Sequence, residues 1–244
     1  MNNKSAHLLF VLNPVAGNSH AEQLRQMFQR QCDLAGATFE VYETNGEDRL
    51  DEVIARARAD GCTLVVAVGG DGTVSEVANE LVGKNLPLGI LPAGTGNLLA
   101  QELGISLDLE QACQLVSVPT KTTQLDVMRV GEQFFVSHIS LGAYSRIIER
   151  TAVSAKRRYG KAAYLWQMFR EIVGGQSWRF GLTIDREKHH VLASLVMVAN
   201  IGTVGVGQLR WGEDIRPDDG LIDVCVVLAR TLPQYVEMLH HVWR

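Results

Sequence analysis

Gly69-Gly70-Asp71-Gly72-Thr73 is the segment of this 244-residue chain best placed to do chemistry. Three glycines let the main chain approach a phosphate closely, and a helix opening there would aim its first N–H groups at the same anion. Asp71 adds what a plain phosphate cradle lacks, an acidic group suited to hold Mg²⁺ or a reacting hydroxyl. The competing reading is a glycine-rich strand-to-helix turn in which Asp71 or Thr73 caps the helix. Two further loops offer related chemistry. Asn13-Pro14-Val15-Ala16-Gly17-Asn18 is a short glycine turn able to cover a nucleotide, and Gly94-Thr95-Gly96-Asn97 is a second one with hydroxyl and amide side chains. Each loop alone is ordinary turn chemistry.

The elements around the loops give them meaning. Leu64 to Val68 is a valine-rich apolar run that reads as a buried parallel strand, and Val74, Val77, Ala78 and Leu81 follow at helical spacing. His7–Leu12, Thr38–Glu43, Thr63–Val68 and Pro87–Leu91 are expected strands. A helix capped by Ser19 carries Leu24, Met27 and Phe28 and stops at Gly36; Leu50–Ala59 is another, and one more follows Asn97. Such alternation predicts a parallel sheet covered by helices, with ligands at the C-terminal ends of the strands. All three glycine loops follow strands on that edge, so they are expected to converge. No Gly-x-x-x-x-Gly-Lys-Ser/Thr occurs, which excludes a P-loop. No Gly-x-Gly-x-x-Gly follows the first strand, which removes the main support for a dinucleotide-binding Rossmann domain.

The character changes near Thr120–Thr123. Leu125–Val130, a Gly131-Glu132 turn and Gln133–Ser140 read as a hairpin, and Arg179–Ile184, Val191–Ala199 and Asp223–Leu228 as later strands. A helical insertion is expected over Tyr144 to Val173. The predicted organisation is therefore an α/β nucleotide-binding domain over 1–122 and a mostly antiparallel β domain over 123–244. The basic run Lys156-Arg157-Arg158 with Lys161, Arg146 and Arg150 has two readings. A solvated helix face with i,i+4 pairing is the simpler; attraction to an anionic membrane surface is the functional one.

The net charge of −4 leaves no global basic field to argue for nucleic acid. Cys32, Cys62, Cys113 and Cys225 are scattered, with no metal-ligand spacing, so reduced and mostly buried thiols are expected. His189-His190 and His240-His241 are pairs, and no His-x-x-x-His occurs. Met1 to Lys4 is polar and shows no secretory signal. The longest apolar tract, Leu192 to Ile201, is far below the ~20 residues a bilayer span needs. These features predict a cytoplasmic protein, with any membrane contact peripheral and at the inner face.

Taken together, the motifs resemble the diacylglycerol kinase catalytic-domain family, which includes bacterial lipid kinases and sphingosine kinases. The matching residues are Asn13-Pro14 with Gly17, then Gly69 through Asn79, then Leu88 through Ala100. Lys156 through Tyr164 and Arg216 through Val224 extend the match across nearly the whole chain. The resemblance implies ATP-dependent phosphoryl transfer onto a lipid hydroxyl, with diacylglycerol or a related lipid alcohol met at the membrane surface. It places the ATP phosphates against Gly70, Asp71, Gly72, Thr73, Val74, Ser75 and Glu76, with Asn13 to Gly17, Thr44 and Thr95 completing the site. It also implies a second, structural Mg²⁺ on Asp219 and the main-chain carbonyls of Arg216 and Leu221. From the residues alone, Pro217 to Gly220 reads equally as a type I turn with Asx bonding. Family members carry a late Asp-Gly-Glu whose Glu serves as general base, and no Asp-Gly here is followed by Glu. The resemblance therefore leads to the expectation of a β domain incomplete at its end, with strand edges uncovered and weak transfer activity. Asp71 is then the candidate base within these residues. An NAD kinase-like enzyme, which shares the Gly-Gly-Asp-Gly-Thr turn, and a non-catalytic nucleotide- or lipid-binding protein are the alternatives.

Overall fold

The computed structural model describes residues 6–14, 21–45, 49–118, 121–142, 177–204, 209–228 and 234. The chain divides into two compact units, Met1–Ser137 and His138–Arg244.

The first unit opens with β1 (His7–Leu12), α1 (Ala21–Ala35), β2 (Thr38–Glu43), α2 (Leu50–Ala59), β3 (Leu64–Gly69) and α3 (Asp71–Leu81). It continues with β4 (Leu88–Pro92), α4 (Leu98–Glu102) and α5 (Leu109–Ser117). The four strands form one parallel sheet in the order β2-β1-β3-β4. Side chains alternate across a strand, so Leu8, Phe10 and Leu12 face one way with Leu64, Val66 and Val68. They pack with Leu24, Phe28 and Cys32 of α1 and Ala112, Cys113 and Val116 of α5. Phe10 and Phe28 stack with ring centroids 4.1 Å apart, and Phe39 meets Phe10 edge-on at 5.7 Å. The intervening residues Leu9, Val11, Val65 and Ala67 are equally buried, as a sheet covered on both faces requires. Gly36, with φ +65°, ends α1 in the left-handed conformation.

Two short strands complete this unit: β5 (Met128–Val130) and β6 (Gln133–Phe135) form a hairpin around Gly131-Glu132. The hairpin was expected beyond the 122/123 boundary and to run on to Ser140. It belongs instead to the first unit, because β6 packs on α3, and Phe134 N donates to Asn79 Oδ1 at 2.8 Å. The chain then breaks at Val136-Ser137, and residues from His138 pair elsewhere.

In the second unit, β7 (His138–Gly142) and β11 (Asp223–Val227) flank β10 (Leu195–Ala199) in an antiparallel sheet. β8 (Trp178–Ile184) and β9 (Glu187–Ala193) make a separate hairpin. The expected single strand Val191–Ala199 is split at Ser194, whose N–H and hydroxyl both donate to Val227 O. Leu195, Met197, Ala199, Ile215 and Val227 form the core of this sheet. The helical insertion, the basic run Lys156 to Lys161 and the stretch Tyr235–Trp243 lie outside the described residues. Among the described residues, no helix is long and apolar enough to cross a membrane.

Cys32, Cys62 and Cys113 are buried and all four thiols are free. Burial pushes the Cys113 thiol up to about 12, against the opposing hydrogen bond of Ser117. Desolvation also raises Cys32, Cys62 and Cys225. A thiol attacks a disulfide reagent as its thiolate, so at pH 8 the half-buried Cys225 should be modified first and Cys113 spared until denaturant is added. Rapid native labelling of Cys113, read by peptide mass mapping, would contradict this packing.

Candidate active site

Four parallel strands put their C-terminal ends on one edge of the sheet, and the candidate residues follow from that. Asn13 continues β1, Thr44 continues β2, Gly70 to Thr73 follow β3, and Ala93 to Asn97 follow β4. Main-chain bonds fix the strand exits: Asn13 N to Val68 O (3.1 Å), Thr44 N to Leu12 O (2.8 Å) and Ala93 N to Gly69 O (2.9 Å). Among the described residues, Asn13 and the two loops after β3 and β4 gather on this edge, while Val15 to Asn18 of the first glycine loop lie outside them.

The two inner loops touch backbone to backbone. A Cβ on Gly94 would lie 2.3 Å from Gly70 Cα, and one on Gly70 would lie 3.2 Å from Gly94 Cα. Any side chain at Gly94 would hold the loops apart. Gly69 is needed for a different reason. Its missing Cβ leaves the space that the Thr73 side chain fills, with Thr73 Oγ1 only 2.4 Å from where that atom would be. Thr73 is buried, and its hydroxyl accepts from Asn13 Nδ2 at 3.2 Å, tying the β1 loop to the α3 turn.

Asp71 performs a job that its sequence context does not announce. Its Oδ2 accepts from Asn97 N at 2.9 Å and its Oδ1 from Leu98 N at 2.5 Å. The carboxylate therefore caps α4, the helix after the second glycine loop, rather than its own helix. An ionised carboxylate has about four lone-pair sites, so two remain for another partner. Asn97 completes the clamp. It sits buried in the left-handed region (φ 52°), and its Oδ1 accepts from Gly94 N and its Nδ2 donates to Gly94 O, both at 2.9 Å. Sequence reasoning quoted Asn97 only as part of a glycine turn. Its available signal was that Asn tolerates this conformation just ahead of a helix.

With Asp71 turned toward α4, the N-cap of α3 is Gly70, which has no side chain to cap the helix. The first intrahelical bond is Val74 N to Gly70 O, so the N–H groups of Asp71, Gly72 and Thr73 precede the helical ladder. The space where a Gly72 Cβ would stand is open. Glu76 and Thr95 are exposed, Ser75 is half-buried and Val74 is buried in the helix packing. Val15, Ala16 and Gly17 lie outside the described residues. The N-terminus of α3 is thus floored by two glycine loops in backbone contact, the kind of helix terminus at which anions are received.

The pattern of the diacylglycerol kinase catalytic domain matches residues 7–130. The chain belongs to that family. Residues 137–244 match a second pattern, the YegS C-terminal NAD kinase beta sandwich-like domain. A solved structure of a diacylglycerol kinase from Bacillus anthracis str. Sterne shares the fold, with a TM-score of 0.76 at 23% identity over 97% of this chain and 78% of that one. An uncharacterized protein of Synechocystis sp. is 28% identical over 97% of this chain and 56% of its own length. A Staphylococcus epidermidis protein named "Putative lipid kinase" is 27% identical over 69% of this chain and 55% of its own length. The chain thus spans about half the length of the curated relatives it matches. The candidate residues separate by element. Asn13, Gly69 to Glu76, and Thr95 stand on the loops and helix just described, and Thr44 is at the end of the neighbouring β2.

The residues implied for a structural ion lie in the second unit. Asp219 Oδ1 accepts from Leu221 N at 3.0 Å, the Asx bond that a turn reading predicts. Arg216 pairs with Asp218 at 3.1 Å, not with Asp219. Among the described residues, no three His, Cys, Asp or Glu side chains group as metal ligands. The implied donors are instead one carboxylate and main-chain carbonyls, hard oxygens whose chemistry fits Mg²⁺.

Proposed function

We propose that this protein transfers the γ-phosphate of ATP to the hydroxyl of a lipid, diacylglycerol or a related lipid alcohol presented at a membrane surface. The observation that carries the reading is the Gly70–Gly94 contact, which sets two glycine loops beside an α3 terminus whose N-cap is a glycine. Phosphoryl transfer asks little covalent chemistry of a protein and is driven by positioning and by neutralising phosphate charge. Here the N–H groups of Asp71, Gly72 and Thr73 and the positive end of α3 receive the phosphates. Asn13, with Pro14 to Gly17, Thr44 and Thr95 frame the rest of the nucleotide, and Val74, Ser75 and Glu76 continue the helix behind it. The remaining lone pairs of Asp71 take either a Mg²⁺ carried by the nucleotide or the proton of the acceptor hydroxyl. Mg²⁺ when bound neutralises phosphate charge; a second one at Asp219, with the carbonyls of Arg216 and Leu221, would stiffen that turn.

The test is a transfer assay with Mg·ATP labelled in its γ-phosphate, a panel of diacylglycerols and long-chain alcohols in vesicles, and NAD as a control. Label is expected in the lipid phase. Label on NAD would contradict the lipid reading. Binding of Mg·ATP with no transfer to any lipid would leave a nucleotide-binding protein in place of an enzyme.

A further inference from the structure

Helix α3 carries the cradle at its N-terminus and, two turns on, a side chain that reaches another element. Asn79 Oδ1 accepts from Phe134 N at 2.8 Å, a bond between residues 55 apart in the chain. The hairpin register explains why that N–H points outward. Val130 faces Gln133 across the two-residue turn, so the next pair, Arg129 and Phe134, is a non-hydrogen-bonded pair whose main-chain groups turn away from the partner strand. Among the described residues, no third strand joins this three-residue pair. Asn79 thus does for β6 what a neighbouring strand would do. On the hairpin itself, the Arg129 guanidinium lies 5.9 Å from the centroid of the Phe134 ring. Past Phe135 the chain has only Val136 and Ser137 before the second unit begins.

We propose that Asn79 is a positioning residue that joins α3 and the β5–β6 hairpin into one body, so that a nucleotide phosphate seated on Gly70–Thr73 is felt at Phe134. The proposal rests on the nucleotide reading of the cradle. A bound anion orders the first turn of α3, and the helix carries that restraint to its far end. There the Asn79–Phe134 bond, set beside the packing of β6 on α3, fixes the outward main-chain edge of the hairpin and passes the restraint on to it. Loss of that bond uncouples the hairpin without touching the cradle.

The experiment is amide hydrogen exchange across 128–135 with and without saturating Mg·ATP, alongside calorimetry for Mg·ATP affinity. In the parent, Mg·ATP should slow hairpin exchange about fivefold, the worth of one net hydrogen bond. Asn79→Asp keeps an acceptor oxygen and should retain the slowing. Asn79→Leu should lose it while Mg·ATP affinity stays within about threefold, since the cradle amides are unchanged. Undiminished slowing in Asn79→Leu, or a silent hairpin in a parent that calorimetry shows to be loaded, would overturn the proposal alone. Absence of Mg·ATP binding to the parent would overturn it together with the nucleotide reading. Should Asn79→Leu fail to fold, Phe134→Pro removes the donor at an outward-facing edge position where proline is tolerated, and is read in the same way.

Discussion

Replacing Asp71 with asparagine should cost both nucleotide binding and stability. An amide keeps one acceptor oxygen but turns an NH₂ group toward the second of the two α4 N–H groups that Asp71 now receives. Hydrogen bonds to a charged group are worth ~1.5–3 kcal/mol, and one of the two is lost outright. In a chain of this size about 2 kcal/mol corresponds to a fall in Tm of roughly 4–8 °C. With the second glycine loop no longer clamped, Mg·ATP affinity should fall by about tenfold or more, the equilibrium worth of one hydrogen bond to a charged group. From the residue types alone, a strand-end loop exposed to ligand suggests loss of Mg·ATP use with the fold left intact. The two bonds to α4 reverse that expectation. Paired calorimetry and thermal melts on Asp71→Asn decide it: unchanged Tm with unchanged Mg·ATP affinity would remove Asp71 from both roles.

Gly94→Ala should separate the loops while leaving the sheet intact. The added methyl would meet the Gly70 main chain at 2.3 Å and Asn97 Oδ1 at 2.9 Å, and main chain cannot swing aside as a flexible side chain can. Overpacking of this kind costs ~1–3 kcal/mol. Because Gly70 is the N-cap of α3, its displacement misaims the cradle, and about tenfold or greater loss of Mg·ATP affinity is expected from misplacement alone. Gly72→Ala is the matched control for folding, since its Cβ would enter open space. Its stability should hold or rise by the amount an alanine gains over glycine in a helix, ~0.5–1 kcal/mol, with Tm unchanged or higher. A Gly94→Ala protein that melted and bound Mg·ATP like the parent would show that the loop contact has no bearing on the site.

Much of the first unit was legible because its determinants are local. β1, β2 and α2 begin and end where apolar periodicity and the flanking turn residues put them, and β3 and β4 differ by one residue. The edge on which the glycine loops gather follows from parallel strand order. Features resting on distant partners were not legible. Nothing between Gln133 and Ser140 signals that β6 serves α3 while β7 pairs with β10, nearly sixty residues away. The break at Ser194 depends on Val227 O, again a partner far along the chain. Asp71 illustrates the same limit at the site. Its local sequence says ligand, yet 26 residues later Asn97 and Leu98 present the N–H groups that hold it. The type of chemistry was readable from the loop; the allocation of its carboxylate was set by tertiary packing.

Receipt of phosphate at the α3 terminus, between two interlocked glycine loops, is best probed by titrating Mg·ATP into isotopically labelled protein and following backbone amide resonances. The largest shifts should fall on Gly70, Asp71, Gly72 and Thr73, with Thr95 and Gly96 following, and in Gly94→Ala they should need about tenfold or more Mg·ATP to reach half their size. Saturable Mg·ATP binding whose shifts fall elsewhere, or titrate in Gly94→Ala as they do in the parent, would contradict it.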